Sequence, residues 1–288
     1  MAAIIFLSLA LLFLAWLIWQ PNLLARQRRR IKARPFPAEW RDILKRRVPY
    51  VHSMPANLQL QLKKHIQVFL AEKAFLGCDG LKMTDEIRVT IAAQACLLIL
   101  NRNSFYYPEL RQILVYPSSF VVQREHTDGS GIAHAGHQVL AGESWSSGQV
   151  ILSWHDTLEG AAVPNDGQNV VIHEFAHQLD QETGSANGAP HLARRDHYPR
   201  WSQVFNTEYR ALQARIRFRH ERRPGHPAAA ELGSQEPPLF SDYGATNPGE
   251  FFAVVSEVFF EQPARMAAEH VALYKELATF YRLDPMSW

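Results

Sequence analysis

Residues Val171 to Asp180 read Val-Ile-His-Glu-Phe-Ala-His-Gln-Leu-Asp, an HExxH pattern inside an apolar stretch able to form a helix. On a helix His173 and His177 stand one turn apart on one face, so both imidazoles can reach a single zinc ion at about 2.0–2.1 Å. Glu174 is rotated by about 100° from His173, which suits it less to ligation than to taking a proton from a water at the metal's open position. Catalytic zinc normally has three protein ligands and one open corner. A metzincin continuation would need Gly and His where this chain has Asp180 and Thr183, so the third ligand must come from elsewhere. Glu250 and Glu257, two turns apart in an otherwise apolar stretch from Pro248, both fit. A carboxylate facing inward there is costly unless paired or bound to a metal, and spacing alone leaves the choice open. Asp180, on nearly the face of His173, is placed to accept a hydrogen bond from a ligand imidazole and fix its tautomer.

Two segments carry a family resemblance. His173-Glu174-Phe175-Ala176-His177-Gln178-Leu179-Asp180 and Tyr243-Gly244-Ala245-Thr246-Asn247-Pro248-Gly249-Glu250-Phe251-Phe252-Ala253 resemble the signatures of the Mlc titration factor A family of zinc peptidases. Its catalytic core is similar to that of anthrax lethal factor. Gly142-Glu143-Ser144-Trp145 followed by Val150-Ile151-Leu152-Ser153-Trp154 adds to the likeness, which runs from about Pro35 to Asp284. The resemblance implies one Zn2+ ion held by His173, His177 and Glu250, with Glu174 as general base and Tyr243 as a hydrogen-bond donor in the transition state. Glu257 then takes a supporting role. It further implies a zincin-like fold, a peptide or protein substrate, an aminopeptidase-like preference, and a regulatory partner such as a transcriptional repressor. The hydrophobic N-terminal leader departs from the family's cytosolic archetype.

The elements that must position these groups follow from periodicity. Leu58, Leu62, Ile66, Phe69 and Leu70 lie on one helical face. Thr84 is an N-cap for a helix to about Leu100, with Ile87, Ile91, Ala95 and Leu98 in phase. Strands are expected at Ile113–Tyr116, Phe120–Gln123 and Gln149–Trp154, with a polar loop between the last two. Helices follow at about 168–181, 200–218, 248–260 and 264–281, and the Pro-, Gly-, His- and Arg-rich run from Arg219 to Ser241 reads as a surface excursion. Helices, then a small sheet, then helices predict an α+β domain, mostly helical with a small mixed sheet. The segment 142–149 ahead of a strand suits alignment of an extended peptide by β-augmentation.

Composition bounds the alternatives. With 47% hydrophobic and 20% charged residues the chain is an ordinary globular sequence, not a disordered one. Cys78 and Cys96 cannot make a disulfide framework or a four-Cys zinc site. Neither has a catalytic context, and no GxSxG surrounds Ser144 or Ser146, so nucleophilic hydrolysis is disfavoured. A closed structural zinc site would want four ligands, whereas the pattern supplies three and a base. His126, His134, His137, His191 and His197 are the residues from which a second metal site would be drawn, although scattered loop histidines are usually solvated.

The net charge of +2 hides an excess of ten Lys/Arg over two acids between Arg26 and Arg47. Direct nucleic-acid binding is not expected, because the basic run follows an 18-residue apolar stretch, Ala2 to Trp19, broken only by Ser8. As a helix that stretch spans roughly 27 Å, and basic residues on its C-terminal side obey the positive-inside rule. The expectation is a single-pass anchor at residues 1–20, a basic proline-containing linker at 21–56 with a short helix around Ala38 to Arg47, and a metallopeptidase domain at 57–288. The anchor would hold the domain on the cytoplasmic face of the inner membrane; a soluble cytoplasmic protein is the alternative.

Overall fold

The computed structural model describes residues 2–102, 106–127, 133–140, 142–145, 148–163, 165–221 and 238–288. Helix α1 (Ala2–Lys32) is followed by α2 (Ala38–Arg47) and α3 (Ala56–Glu72), then strand β1 (Ala74–Gly77) and helix α4 (Asp85–Leu97). The strands β2 (Gln112–Tyr116), β3 (Phe120–Thr127), β4 (Ala133–Leu140), β5 (Gly142–Trp145) and β6 (Gln149–Ser153) come next. Helices α5 (Trp154–Ala162), α6 (Val170–Asp180), α7 (Tyr198–Glu221), α8 (Pro248–Glu261), α9 (Pro263–Glu269) and α10 (Val271–Tyr281) complete the chain.

Four strands form one sheet in the order β1-β2-β6-β5. β1, β2 and β6 run parallel, in the register Phe75↔Ile113↔Val150, and β5 closes the edge antiparallel to β6 with Glu143↔Ile151. β6 is buried from Val150 through Ser153, as a strand covered on both faces must be. Helix α6 lies between this sheet and α8, and α4 packs on α3, α5 and α6. One apolar core runs through all of them, from Leu62, Ile66 and Phe69 of α3 to Phe252 and Phe259 of α8. At its C-terminal end Trp201 stacks on Phe205 with ring centroids 4.0 Å apart.

The expected membrane anchor is overturned: among the described residues no helix is long and apolar enough to cross a membrane. The apolar run does not end as a separate span before the charges. Its helix continues through Pro21 to Lys32 and takes up Arg26, Arg28, Arg29, Arg30 and Lys32. Those last turns are docked on the domain, with Ile31 in the core and Arg28 gripping Glu72 through two bonds of 2.7 and 2.8 Å. Within the stretch 21–56 the short helix expected around Ala38 to Arg47 is present as α2, and residues up to Lys32 belong to α1. The single-pass arrangement at the inner membrane rested on that anchor and falls with it.

Three local expectations also change. The polar stretch read as loop contributes β4, paired antiparallel with β3 from Phe120↔Leu140 to Thr127↔Ala133, and β5. Strand pairing there overrides the weak β-propensity of its Ala, Gly and His residues. The helix expected over 264–281 breaks at His270 into α9 and α10. β1 has no counterpart in the sequence reading; four residues are too few for periodicity to register. Residues 222–237 of the expected surface excursion lie outside the described residues.

Candidate metal centre

Helix α6 is started by Asn169, whose side-chain oxygen accepts from the Ile172 amide at 3.0 Å. Its apolar residues Val171, Ile172, Phe175, Ala176 and Leu179 are sunk in the core, which turns the face bearing His173 and His177 toward α8. Helix α8 is started by Asn247, which accepts from the Glu250 amide at 3.0 Å, with Pro248 at the first helical position. Glu250 therefore sits in the first turn, where the helix dipole favours a negative charge.

The two helices bring three groups together. His173 Nε2 lies 3.0 Å and His177 Nε2 3.2 Å from one oxygen of Glu250, and all three ligand atoms lie within 4.8 Å of one another. A tetrahedral zinc with bonds of about 2.0–2.1 Å sets its ligand atoms about 3.3–3.4 Å apart, so small movements would admit the ion. Glu257 does not join that trio. It faces the other side of the same ring, 2.7 Å from His173 Nδ1, the place of a carboxylate that orients a ligand imidazole. Its second oxygen accepts from the Asn169 amide at 2.5 Å. Asn169 in turn donates from its side chain to Gln94 (2.8 Å), Gly160 (3.1 Å) and Glu261 (2.9 Å).

Electrostatics suit a cation. Burial disfavours a charged His173, but Glu257 and Glu250 outweigh it and raise its pKa well above the ordinary value. Burial likewise opposes ionisation of Glu250, and hydrogen bonds and charge from the two imidazoles overcome it, leaving the carboxyl far below its usual range. A divalent ion among the three ligand atoms would replace the proton on His173 Nε2.

Glu174 lines the adjoining cleft of about 560 Å³. It is 5% exposed, and its Oε2 is buried without a partner. Burial pushes its carboxyl up to about 7, against the pull of the two histidines, which is the range wanted of a group that takes and returns a proton. Gly142 of the edge strand presses on it: a Cβ there would lie 2.7 Å from Glu174 Cγ and Oε1. Tyr243 stands at the rim, 42% exposed, its ring 5.9 Å from that of His173. Its short turn is held by α7 through Tyr209, whose hydroxyl donates to Ala245 O at 3.1 Å.

Asp180 is not bonded to an imidazole. Its Oδ2 accepts from the Gly188 amide at 2.7 Å, and its Oδ1 has no partner. His191 and His197 line a separate groove with Arg102 and Trp201. His126, His134 and His137 lie on β3 and β4, and their side chains are outside the described residues. Among the described residues the other group spaced for a cation is His155, Asp156 and Glu159, largely exposed on α5. Sequence reasoning missed that group, the Asn169 hub and the Gly142 contact. Asn169 had a readable signal, an Asn just ahead of an apolar helical run.

Comparisons with known proteins place the chain in a metallo-peptidase family. A family model described as glucose-regulated metallo-peptidase M90 matches residues 23–282. An uncharacterised protein of Synechocystis sp. is 38% identical over 283 residues, 98% of this chain and 97% of its own length. Mlc titration factor A of Serratia proteamaculans is 31% identical over 251 residues, 87% of this chain and 88% of its own, and that of Yersinia pestis is 29% identical over the same length. Since the family match takes in α6, α8 and the turn that carries Tyr243, the chain belongs to the glucose-regulated metallo-peptidase M90 family.

Proposed function

We propose that the chain is a zinc-dependent peptidase in which His173, His177 and Glu250 hold the ion, Glu174 is the general base and Tyr243 the hydrogen-bond donor to the reacting carbonyl. The observation that carries this reading is the convergence of both imidazole Nε2 atoms on one Glu250 oxygen, at 3.0 and 3.2 Å, beside the unpartnered Glu174 carboxylate. A zinc ion held there would lower the pKa of a water at its open position toward about 7 and polarise the scissile carbonyl. Glu174 takes the proton from the attacking water and passes it to the leaving amine. Tyr243 donates a hydrogen bond from its hydroxyl to the carbonyl oxygen as charge develops; loss of one such donor typically costs about 10²–10³ in rate. Glu257 keeps His173 in the tautomer that leaves Nε2 free to ligate. The cleft wall carries Asp156, Glu159 and Asp166, carboxylates able to face a peptide's terminal ammonium, which supports the aminopeptidase-like preference.

The test is metal analysis combined with peptide-library cleavage. Wild type should bind one zinc per chain and cleave. Glu174→Gln should keep the metal and lose cleavage, and Glu250→Ala should lose both. Hydrolysis by zinc-free Glu174→Gln protein, or retained zinc in Glu250→Ala with loss in Glu257→Ala, would overturn these assignments. Blocked and free N-termini in the library separate exopeptidase from endopeptidase action.

A regulatory reading is favoured by the printed name of the relatives, Mlc titration factor A. In it the chain binds a transcriptional repressor such as Mlc. The two roles are compatible, and a pull-down with Glu174→Gln separates them, since a regulator still captures its partner when chemistry is off.

A further inference from the structure

Besides Glu174 Oε2, which faces the cleft, two buried polar atoms on α6 lack partners, His177 Nδ1 and Asp180 Oδ1. They are three residues apart on the helix, with His177 9% and Asp180 0% exposed. Buried polar groups are seldom left unsatisfied, and these two are complementary. An imidazole that ligates through Nε2 carries its hydrogen on Nδ1 and needs an acceptor for it. Glu257 is that acceptor for His173, at 2.7 Å; no corresponding bond holds His177.

The second oxygen of Asp180 reaches in another direction. It accepts from the Gly188 amide at 2.7 Å. Gly188 has φ +77°, and a Cβ on it would lie 2.5 Å from the carbonyl oxygen of Pro248, so its backbone rests directly on the first residue of α8. Gly249 is seated almost as closely, its virtual Cβ 3.0 Å from Ala186 O, and Trp201 Nε1 pins Gly188 O at 2.9 Å. Glu250 follows immediately. One carboxylate thus stands between the helix bearing both histidines and the loop that fixes the start of the helix bearing Glu250.

We infer that Asp180 is a positioning residue of the metal centre: its Oδ1 receives the Nδ1 hydrogen of His177 when Nε2 is a ligand, while its Oδ2 keeps the 186–188 loop on Pro248 and so places Glu250. This rests on the metal centre proposed above. A purely structural Asp180 would anchor the loop and leave metal affinity alone.

Asp180→Asn separates the two. The amide keeps an oxygen for the Gly188 amide, but its NH2 cannot accept a hydrogen from His177. Zinc affinity of the full chain, measured by competition with a chromophoric chelator, should fall about 10–100-fold, while the melting temperature of the metal-free protein changes little. In zinc-loaded wild type, NMR should show an exchange-protected Nδ1 hydrogen on His177, absent from Asp180→Asn. Equal zinc affinity in the two proteins overturns the inference and leaves the peptidase reading standing; wild type that binds no zinc overturns both. Should Asp180→Asn fail to fold, the wild-type spectrum decides alone, and absence of a protected His177 Nδ1 hydrogen in the zinc-loaded protein is the refuting result.

Discussion

Glu257 and Gly142 touch none of the three ligand atoms, yet each acts on a group that does the chemistry. Glu257 holds the far nitrogen of His173 at 2.7 Å, so Glu257→Gln replaces a charged acceptor by a neutral amide. Zinc affinity should drop about 10–100-fold, by less than in Glu250→Ala, and a chelator titration of both variants checks the order. Gly142 is there because nothing larger fits: a methyl would meet Glu174 and Val170 at 2.7 Å. The Glu174 side chain is the softer neighbour and should give way. Gly142→Ala is therefore expected to keep its zinc while kcat falls by about 10-fold or more, since misplacing a reacting group by about 1 Å can cost 10²-fold. Unchanged kcat at full zinc content would show that Glu174 does not depend on this packing.

Helix α6 is positioned by its cap as much as by its apolar face. Asn169 satisfies the Ile172 amide and also ties together Gln94, Gly160 and Glu261, while its own amide fixes Glu257. Replacing an N-cap by Ala costs about 1 kcal/mol, and leaving buried partners unsatisfied adds roughly 1–3 kcal/mol. Asn169→Ala should therefore destabilise the protein by about 2 kcal/mol or more in urea unfolding. Thr84→Ala, which removes a cap bond of 3.3 Å at α4, should cost about 1 kcal/mol or less. Comparable losses in the two variants would count against a hub at Asn169. The partition of the two carboxylates is also set between elements. α8 presents Glu250 to both Nε2 atoms and, two turns on, Glu257 to Nδ1 of His173, so one helix supplies both sides of one ring.

For the whole molecule, burial of this polar hub links stability to pH. Burial raises the Glu261 carboxyl from its ordinary 4.5 to about 9, while the bond from Asn169 pulls the other way. Between those values the native protein keeps a proton that the unfolded chain has released, so this group makes stability fall as pH rises, by at most about 1.4 kcal/mol per pH unit. Glu261→Gln should flatten the decline in unfolding free energy between about pH 5 and 9; an unchanged slope would mean that Glu261 is ionised in the native state. Much of the architecture is legible in the chain. The Thr84 cap, the α3 stripe from Leu58 to Leu70 and the Asn-Pro-Gly-Glu start of α8 are local signals, and local signals survive folding because they act within a turn or two. The apolar N-terminal run misleads for the complementary reason. Hydropathy registers the stretch to Trp19 but not the continuation of its helix to Lys32, nor the grip of Arg28 on Glu72. Sequence by itself determined the His–Glu–His spacing and hence the chemistry available to α6. Only the tertiary structure decided which acid faces which nitrogen, that a polar Ala- and Gly-rich stretch pairs as strands, and that Gly142 lies on Glu174. Those outcomes depend on groups tens of residues apart, whose approach is set by packing of the core and not by any local preference of the chain.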